Sequence, residues 1–350
     1  MSGVDWVVLG GGLIGLLFGG IGQRSGFCFL RGLNGLWLQQ DARKLKMFFM
    51  AMATALLATQ LLVWVSGLDL GRAHYLQRNP AWLAIVFGGA MFGYGMVLSN
   101  ACGARSLVLL GQGNLRSLTV LLCLGVAAYM ASSGVLAPVR LWLEGLVRTS
   151  LAAPDLTGLV ATTGMSVGLS RLLVTLPLAA LLFYFALRKG RVQADPSALL
   201  AGALIGLLVT TGWWLTGIVG DDVFDPVRLA TLTFIAPIGE SIQYLMIATG
   251  MSVSFGVSVV AGVIVGSLIM ALITGQFTWQ GYQSIGQLQR GILGGLMMGV
   301  GGVMALGCSI GQGLSGFSTL SISSLVAIAA ILLGAWLGLK SPVRVASAGS

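Results

Sequence analysis

Gly88-Gly-Ala-Met-Phe-Gly-Tyr-Gly-Met-Val-Leu-Ser-Asn-Ala-Cys102 aligns without a gap on Gly294-Gly-Leu-Met-Met-Gly-Val-Gly-Gly-Val-Met-Ala-Leu-Gly-Cys308. The offset is 308 − 102 = 206, and seven of the fifteen pairs are identical: Gly88/Gly294, Gly89/Gly295, Met91/Met297, Gly93/Gly299, Gly95/Gly301, Val97/Val303 and Cys102/Cys308. Both copies read as Gly-rich apolar helices that end on a cysteine. The chain is therefore duplicated, and the repeated cysteine points to one site shared by the two halves.

The rest of the chain says where this duplication lives. Of the 350 residues, 56% are hydrophobic and 8% charged, with a mean hydropathy of +0.94. A soluble domain carries about 25% charged residues, so this chain has too few polar groups to cover a water-facing surface. Several runs reach the roughly 18 apolar residues that cross a bilayer. The expected fold is an all-α polytopic membrane protein. The 53 glycines suit close helix packing and helix breaks inside the membrane. The N-terminus, Met1-Ser-Gly-Val-Asp5, carries no basic stretch or cleavage site of a signal peptide. Net charge is +9. That excess reads as a topology signal, and no basic run with interleaved aromatics points to nucleic acid.

Nine full spans are expected, at 4–22, 46–66, 81–99, 117–137, 169–187, 198–217, 251–273, 289–306 and 320–338. Short apolar pieces at 25–38, 102–111, 227–247 and 308–316 read as half-helices, which are tolerated at membrane depth where they line a cavity or pack on protein. Shifting the second, third and fourth spans by 206 lands on or near later spans. Leu13-Ile-Gly-Leu-Leu17 recurs as Leu204-Ile-Gly-Leu-Leu208 at an offset of 191, so the second half holds about fifteen extra residues after its first span (206 − 191 = 15). The division is a first repeat of four spans over 1–150, a linking span within 151–195, and a second repeat of four spans over 196–350. One linking span turns the second repeat over.

An N-terminus outside leaves Arg24, Arg31, Arg43, Lys44, Lys46, Arg105, Arg116, Arg188, Lys189, Arg191, Arg290, Lys340 and Arg344 inside. Asp221, Asp222 and Asp225 then fall outside with Arg72, Arg78, Arg140, Arg148, Arg171 and Arg228. The positive-inside rule favours this orientation, with a cytoplasmic C-terminus.

Three of the four cysteines stand at the start of short helices beside Gly, Ser, Arg or Asn. They are Cys28 in Gln23-Arg-Ser-Gly-Phe-Cys-Phe, Cys102 in Ser99-Asn-Ala-Cys-Gly-Ala-Arg105, and Cys308 in Leu306-Gly-Cys-Ser-Ile-Gly-Gln312. Cys123, in a plain apolar run, reads as a small filler. Cys28 finds no counterpart near Val219, where the first-span offset of 191 would put it. No Cys-x-x-Cys occurs, and the one histidine, His74, falls in a loop. Dithiol redox, zinc and haem chemistry therefore lack their residues, and no metal or cofactor is called for. Helix N-termini offer free N–H groups and partial positive charge to an anion. Thiols add a soft, weak contact, so a row of them suits a sulfur-bearing anion that is held loosely and passed on.

Arg105 follows Cys102 by three residues, close enough to share a helix face. Arg24 and Arg31 flank Cys28, either along a substrate path or as interfacial anchors. Glu240 is the acid nearest a membrane segment, open to pairing with an arginine or to carrying a coupling proton. Gln23, Asn100, Gln112, Gln243, Gln276 and Gln312 either line a polar path or hold helices together.

At Gln23–Phe29, at Gly93–Gly103 and at Gly307-Cys308-Ser-Ile-Gly-Gln-Gly313 the chain resembles the YeeE/YedE sulfur-transport family over nearly its whole length. The resemblance implies nine spans plus short helices, three pathway cysteines at Cys28, Cys102 and Cys308, and inward movement of thiosulfate or a related sulfur or selenium compound through the bacterial inner membrane. It also implies a small cytosolic sulfur-carrier protein as a separate partner. The candidate pathway residues are thus Cys28, Cys102, Cys308, Arg105, Asn100, Gln23, Gln312, Glu240 and Arg24. The competing reading is a membrane sulfurtransferase using a nucleophilic Cys, which Arg105 and a helix start would favour and which the missing general base opposes.

Overall fold

The computed structural model describes residues 3–162, 164–188, 195–221 and 227–341. Lys189, Arg191, Asp222, Asp225 and Arg344, which enter the charge argument above, lie outside the described residues. Helices are the regular structure of these segments, joined by irregular stretches such as 147–155 and 274–284, and the β-type pairings are three isolated bridges. The helices are α1 (Gly3–Ser25), α2 (Phe29–Asn34), α3 (Arg43–Ser66), α4 (Trp82–Leu98), α5 (Gly103–Gly111), α6 (Leu115–Ser132), α7 (Ala137–Leu146), α8 (Leu156–Ala161), α9 (Val167–Leu187), α10 (Pro196–Trp214), α11 (Ile235–Met246), α12 (Phe255–Ile273), α13 (Ile285–Met304) and α14 (Ile322–Lys340). A further short helical segment covers 309–318 and carries a π turn over Gly311–Gly316.

Eight helical stretches are long and apolar enough to cross a membrane, which makes this a multi-pass membrane protein. They match eight of the nine expected spans. The remaining one, expected at 289–306, is present as the 20-residue helix α13, but Gln287, Gln289, Arg290 and its glycines hold its hydropathy below that of the other eight. The four half-helices appear as α2, α5, α11 and 309–318. Helices α7 and α8 lie between the fourth and fifth spans, a stretch in which composition alone suggested no element. Helix α7 buries none of its residues and shows Val139, Leu141 and Trp142 on its surface. Its Arg140 pairs with Glu144 at 2.6 Å.

Glycine sets the packing. A Cβ on Gly15 or Gly19 of α1 would collide with the Val259 or Val263 carbonyl of α12, so these helices touch backbone to backbone and run in the same direction. Gly202 and Gly206 bring α10 equally close to Met47 and Ala51 of α3. Helices α4 and α13 cross at the centre, antiparallel. A Cβ on Gly88 would lie 2.8 Å from the Gly301 carbonyl oxygen, and one on Gly95 would lie 2.8 Å from that of Gly294. Shifting the first contact by 206, up on one side and down on the other, gives the second: Gly88 becomes Gly294 and Gly301 becomes Gly95. The central crossing therefore pairs each Gly-rich helix with its own repeat.

Candidate functional site

The chain breaks the two central helices in the same way. Asn100 (φ 56°) and Leu306 (φ 59°), again 206 apart, both adopt the left-handed conformation just before their cysteines. Asparagine tolerates that region, whereas leucine rarely enters it. The hydrogen bonds around the breaks repeat residue by residue. Ser99 N–H donates to Gly95 O at 3.0 Å and Ala305 N–H to Gly301 O at 2.9 Å. Ser106 N–H donates to Cys102 O and Gln312 N–H to Cys308 O, both at 2.8 Å. Each turn stops a long helix and restarts the chain as a short one, with the cysteine immediately before the restart. Cys28 holds the same place before α2 in extended backbone (φ −166°, ψ 126°).

The three thiols are buried, at 3%, 2% and 1% exposure for Cys28, Cys102 and Cys308, so water is excluded from all of them. All are free. Cys28 and Cys102 lie close enough to influence each other. The N–H groups of Arg31 and Arg105, each three residues on, point at these sulfurs. The Cys308 sulfur caps its own helix, accepting from Gly311 N–H at 3.3 Å. The Phe234 backbone N–H, ahead of α11, lies near it.

Seven of the ten buried side-chain polar atoms without partners among the described residues lie on Gln23, Tyr75, Arg105, Ser106, Ser309, Gln312 and Ser324; the other three, on Ser170, Arg171 and Thr175, belong to α9. Near the Cys28–Cys102 pair, Arg105 is 6% exposed; its Nη1 donates to the Gly22 carbonyl at 3.2 Å and its Nε has no partner. Ser106 Oγ is also unpaired. Gln23 Nε2 donates to Gln276 Oε1 at 3.4 Å, leaving its own Oε1 free, and Gln112 Nε2 donates to the Gln276 carbonyl at 3.2 Å. Near Cys308 the unpaired atoms are Tyr75 Oη, Ser309 Oγ, Gln312 Oε1 and Ser324 Oγ. Tyr75 Oη lies by Thr233 and Ser315, and Gln312, Ser324 and Tyr75 converge on Gly316. A buried unpaired polar group costs about 1–3 kcal/mol. Several of them close to buried thiols mark these breaks as places where a polar guest would find partners.

The side chains of Arg24, Arg31 and Asn100 are exposed, although the Arg31 charge still lies close enough to act on Cys28. Glu240 accepts from Ser254 Oγ at 3.0 Å, and none of the ion pairs among the described residues involves it. Gln243 is half-buried on α11. Cys123 packs at the α6–α13 contact, where its Cβ would lie 2.9 Å from one built on Gly295. His74 is exposed; its Nε2 lies 3.3 Å from the Leu306 carbonyl and its ring 3.9 Å from that of Tyr75. Arg72, expected to face the outside, pairs with Asp221 at 2.8 Å beside a surface cleft of 380 Å³ that holds no cysteine. No group of three or more His, Cys, Asp or Glu side chains among the described residues is arranged to hold a metal.

Two residues escaped the sequence reading. Tyr75 comes from the α3–α4 loop, and only the fold brings it to Cys308. Phe234 precedes α11 as Cys28 precedes α2, and 234 − 28 = 206. The extra residues of the second half fall between α10 and α11, so the counterpart of Cys28 is Phe234, not a residue near Val219. Applying the cysteine offset to Cys28 would have found it.

A family model described as sulphur transport matches residues 24–337, which include all four cysteines. The chain is 25% identical over 347 residues to a protein of Escherichia coli (strain K12) named thiosulfate transporter TsuA, covering 94% of this chain and 93% of that one. It is 27% identical over 334 residues to a protein of the same name from Spirochaeta thermophila, covering 93% and 96%.

Proposed function

The chain belongs to the sulphur transport family, and from that premise we propose that it takes up thiosulfate through the bacterial inner membrane along Cys28, Cys102 and Cys308. The relatives' names support this substrate. The observation that carries the reading is three buried thiols, each standing at a break just before a short helix, with unpaired buried polar atoms near them. Thiosulfate has one soft terminal sulfur and three hard oxygens. The thiols meet the sulfur, while helix N-termini, Arg105 and the hydroxyl and amide groups meet the oxygens. Each contact is weak, and conduction needs weak, successive sites.

The path runs between two inverted repeats, 1–150 and 196–350, joined by the span within 151–195. The antiparallel crossing of α4 and α13 supports this division, as do the contacts and turns that recur at an offset of 206. The N-terminus lies outside and the C-terminus in the cytoplasm. Gln23, Gln312 and Arg105 line the path, while Arg24, Asn100 and Glu240 serve its approaches. The protein acts as a transporter and not as an enzyme, and hands its cargo to a separate cytosolic sulfur carrier.

Radiolabelled thiosulfate uptake in cells without other sulfur-uptake routes tests this. Cys102→Ala and Cys102→Ser should both abolish uptake at normal expression, since serine keeps a small donor but not the soft sulfur. Undiminished uptake in either variant removes the thiol path. A persulfide on Cys28, Cys102 or Cys308 that persists after thiosulfate exposure, read by mass spectrometry, would favour the sulfurtransferase instead.

A further inference from the structure

Three of the four half-helices begin behind a cysteine. The fourth, α11, begins behind Phe234, at the position matching Cys28. Phe234 has no exposed surface. Its backbone N–H lies near the Cys308 sulfur. One turn further along α11, Ile238 touches the residue next to Cys102: a Cβ on Gly103 would lie 3.3 Å from Ile238 Cδ1. The first turn of α11 thus spans the distance from Cys308 to Cys102. The Phe234 ring packs on Phe18 with centroids 5.3 Å apart, and Phe18 packs on Phe27, the neighbour of Cys28, at 6.4 Å.

We infer that Phe234 is the selectivity gate of the path: its ring, backed by Phe18, closes the passage between Cys308 and the Cys28–Cys102 pair. The inference rests on the transport reading above. An apolar constriction has no donors to replace an anion's water, so it resists a hard, strongly hydrated oxyanion. A polarisable sulfur makes favourable contact with an aromatic edge. Thiosulfate can lead with its sulfur past the ring from one thiol to the next. Sulfate presents oxygen on every side and has no such route. A fourth thiol at this position would make the two halves alike and would remove the discrimination.

The test uses the purified full-length protein in proteoliposomes, with labelled thiosulfate and labelled sulfate as probes. Phe234→Ala should raise the ratio of sulfate to thiosulfate uptake by about tenfold or more, the scale on which a pocket discriminates by apolar bulk. Phe234→Leu, which keeps the bulk, should hold the wild-type ratio. If the alanine variant does not reach the membrane, Phe234→Val is read on the same scale. Wild-type selectivity in the truncated variant overturns the gate while leaving the transport reading intact. Loss of selectivity in Phe234→Leu as large as in Phe234→Ala means that apolar bulk at this position does not discriminate, and it also overturns the gate. Absence of thiosulfate uptake by the wild type overturns the transport reading and the gate with it.

Discussion

The two groups of break cysteines are built from the same pieces and finished differently. In one, two thiols lie close together beside a buried arginine whose Nε is unpaired. In the other, one thiol caps its own helix beside a phenylalanine, a tyrosine and a group of hydroxyls and amides, with no charge on any of these side chains. The backbone hardly distinguishes them, since the turns and their hydrogen bonds match at an offset of 206. The repeated turns therefore fix where each short helix starts, and side chains at a few equivalent positions decide what each N-terminus presents.

The comparison is broken most severely at the scaffold. Gly88 and Gly95 make equivalent contacts across the α4–α13 crossing, each 2.8 Å from a partner carbonyl once a Cβ is added. Leucine at either position forces the helices apart, and overpacking of this kind costs about 1–3 kcal/mol or more. Gly88→Leu and Gly95→Leu should each lower the thermal stability of the detergent-purified protein sharply, and by similar amounts. A large difference between the two would mean that the crossing is not symmetric.

Below that comes the thiol pair. Arg105→Ala should lower thiosulfate uptake about tenfold or more, the loss expected when a charge-assisted contact of roughly 1.5–3 kcal/mol disappears. Arg105→Lys should restore only part of it, because one ammonium cannot both hold the Gly22 carbonyl and meet the anion. At the other end, Gln312→Ala should cost less, because a neutral contact contributes about 0.5–1.5 kcal/mol. Uptake kinetics of the two variants, compared side by side, test whether the charged end outweighs the neutral one. An equal or larger loss at Gln312 would reverse that ranking.

The outline of this arrangement was legible in the sequence because its cause is local. Apolar runs, Gly spacing and a gapless fifteen-residue match identify the helices, the breaks and the repeated cysteine. What was not legible depends on distant parts of the chain meeting. Tyr75 reaches Cys308 from a loop that no motif marks. Helices α7 and α8 escaped because an amphipathic surface helix carries no continuous apolar run. Helix α13 was recognised through its repeat, although its polar start and glycines weaken it as a span. Phe234 was hidden because its meaning lies only in its register against Cys28, and the residues inserted after α10 obscure that register.

The smallest effect is expected at Cys123, the thiol away from the breaks. It packs where α6 meets α13, against Gly295. Its counterpart on α14 is Ala330, which packs against Gly89, and Gly89 and Gly295 are themselves repeat partners. Helix α14 follows α6 at an offset of 207 (322 − 115), which places Ala330 opposite Cys123. The fold thus already accepts alanine in the equivalent contact. Cys123→Ala should leave thiosulfate uptake at the wild-type level and shift stability by no more than about 0.5–1 kcal/mol, the range of substitutions that open no large cavity. Thiol titration of the denatured variant should count three cysteines in place of four. A marked loss of uptake in Cys123→Ala would place a fourth sulfur on the path and would end the distinction between the break cysteines and the one in the plain helix.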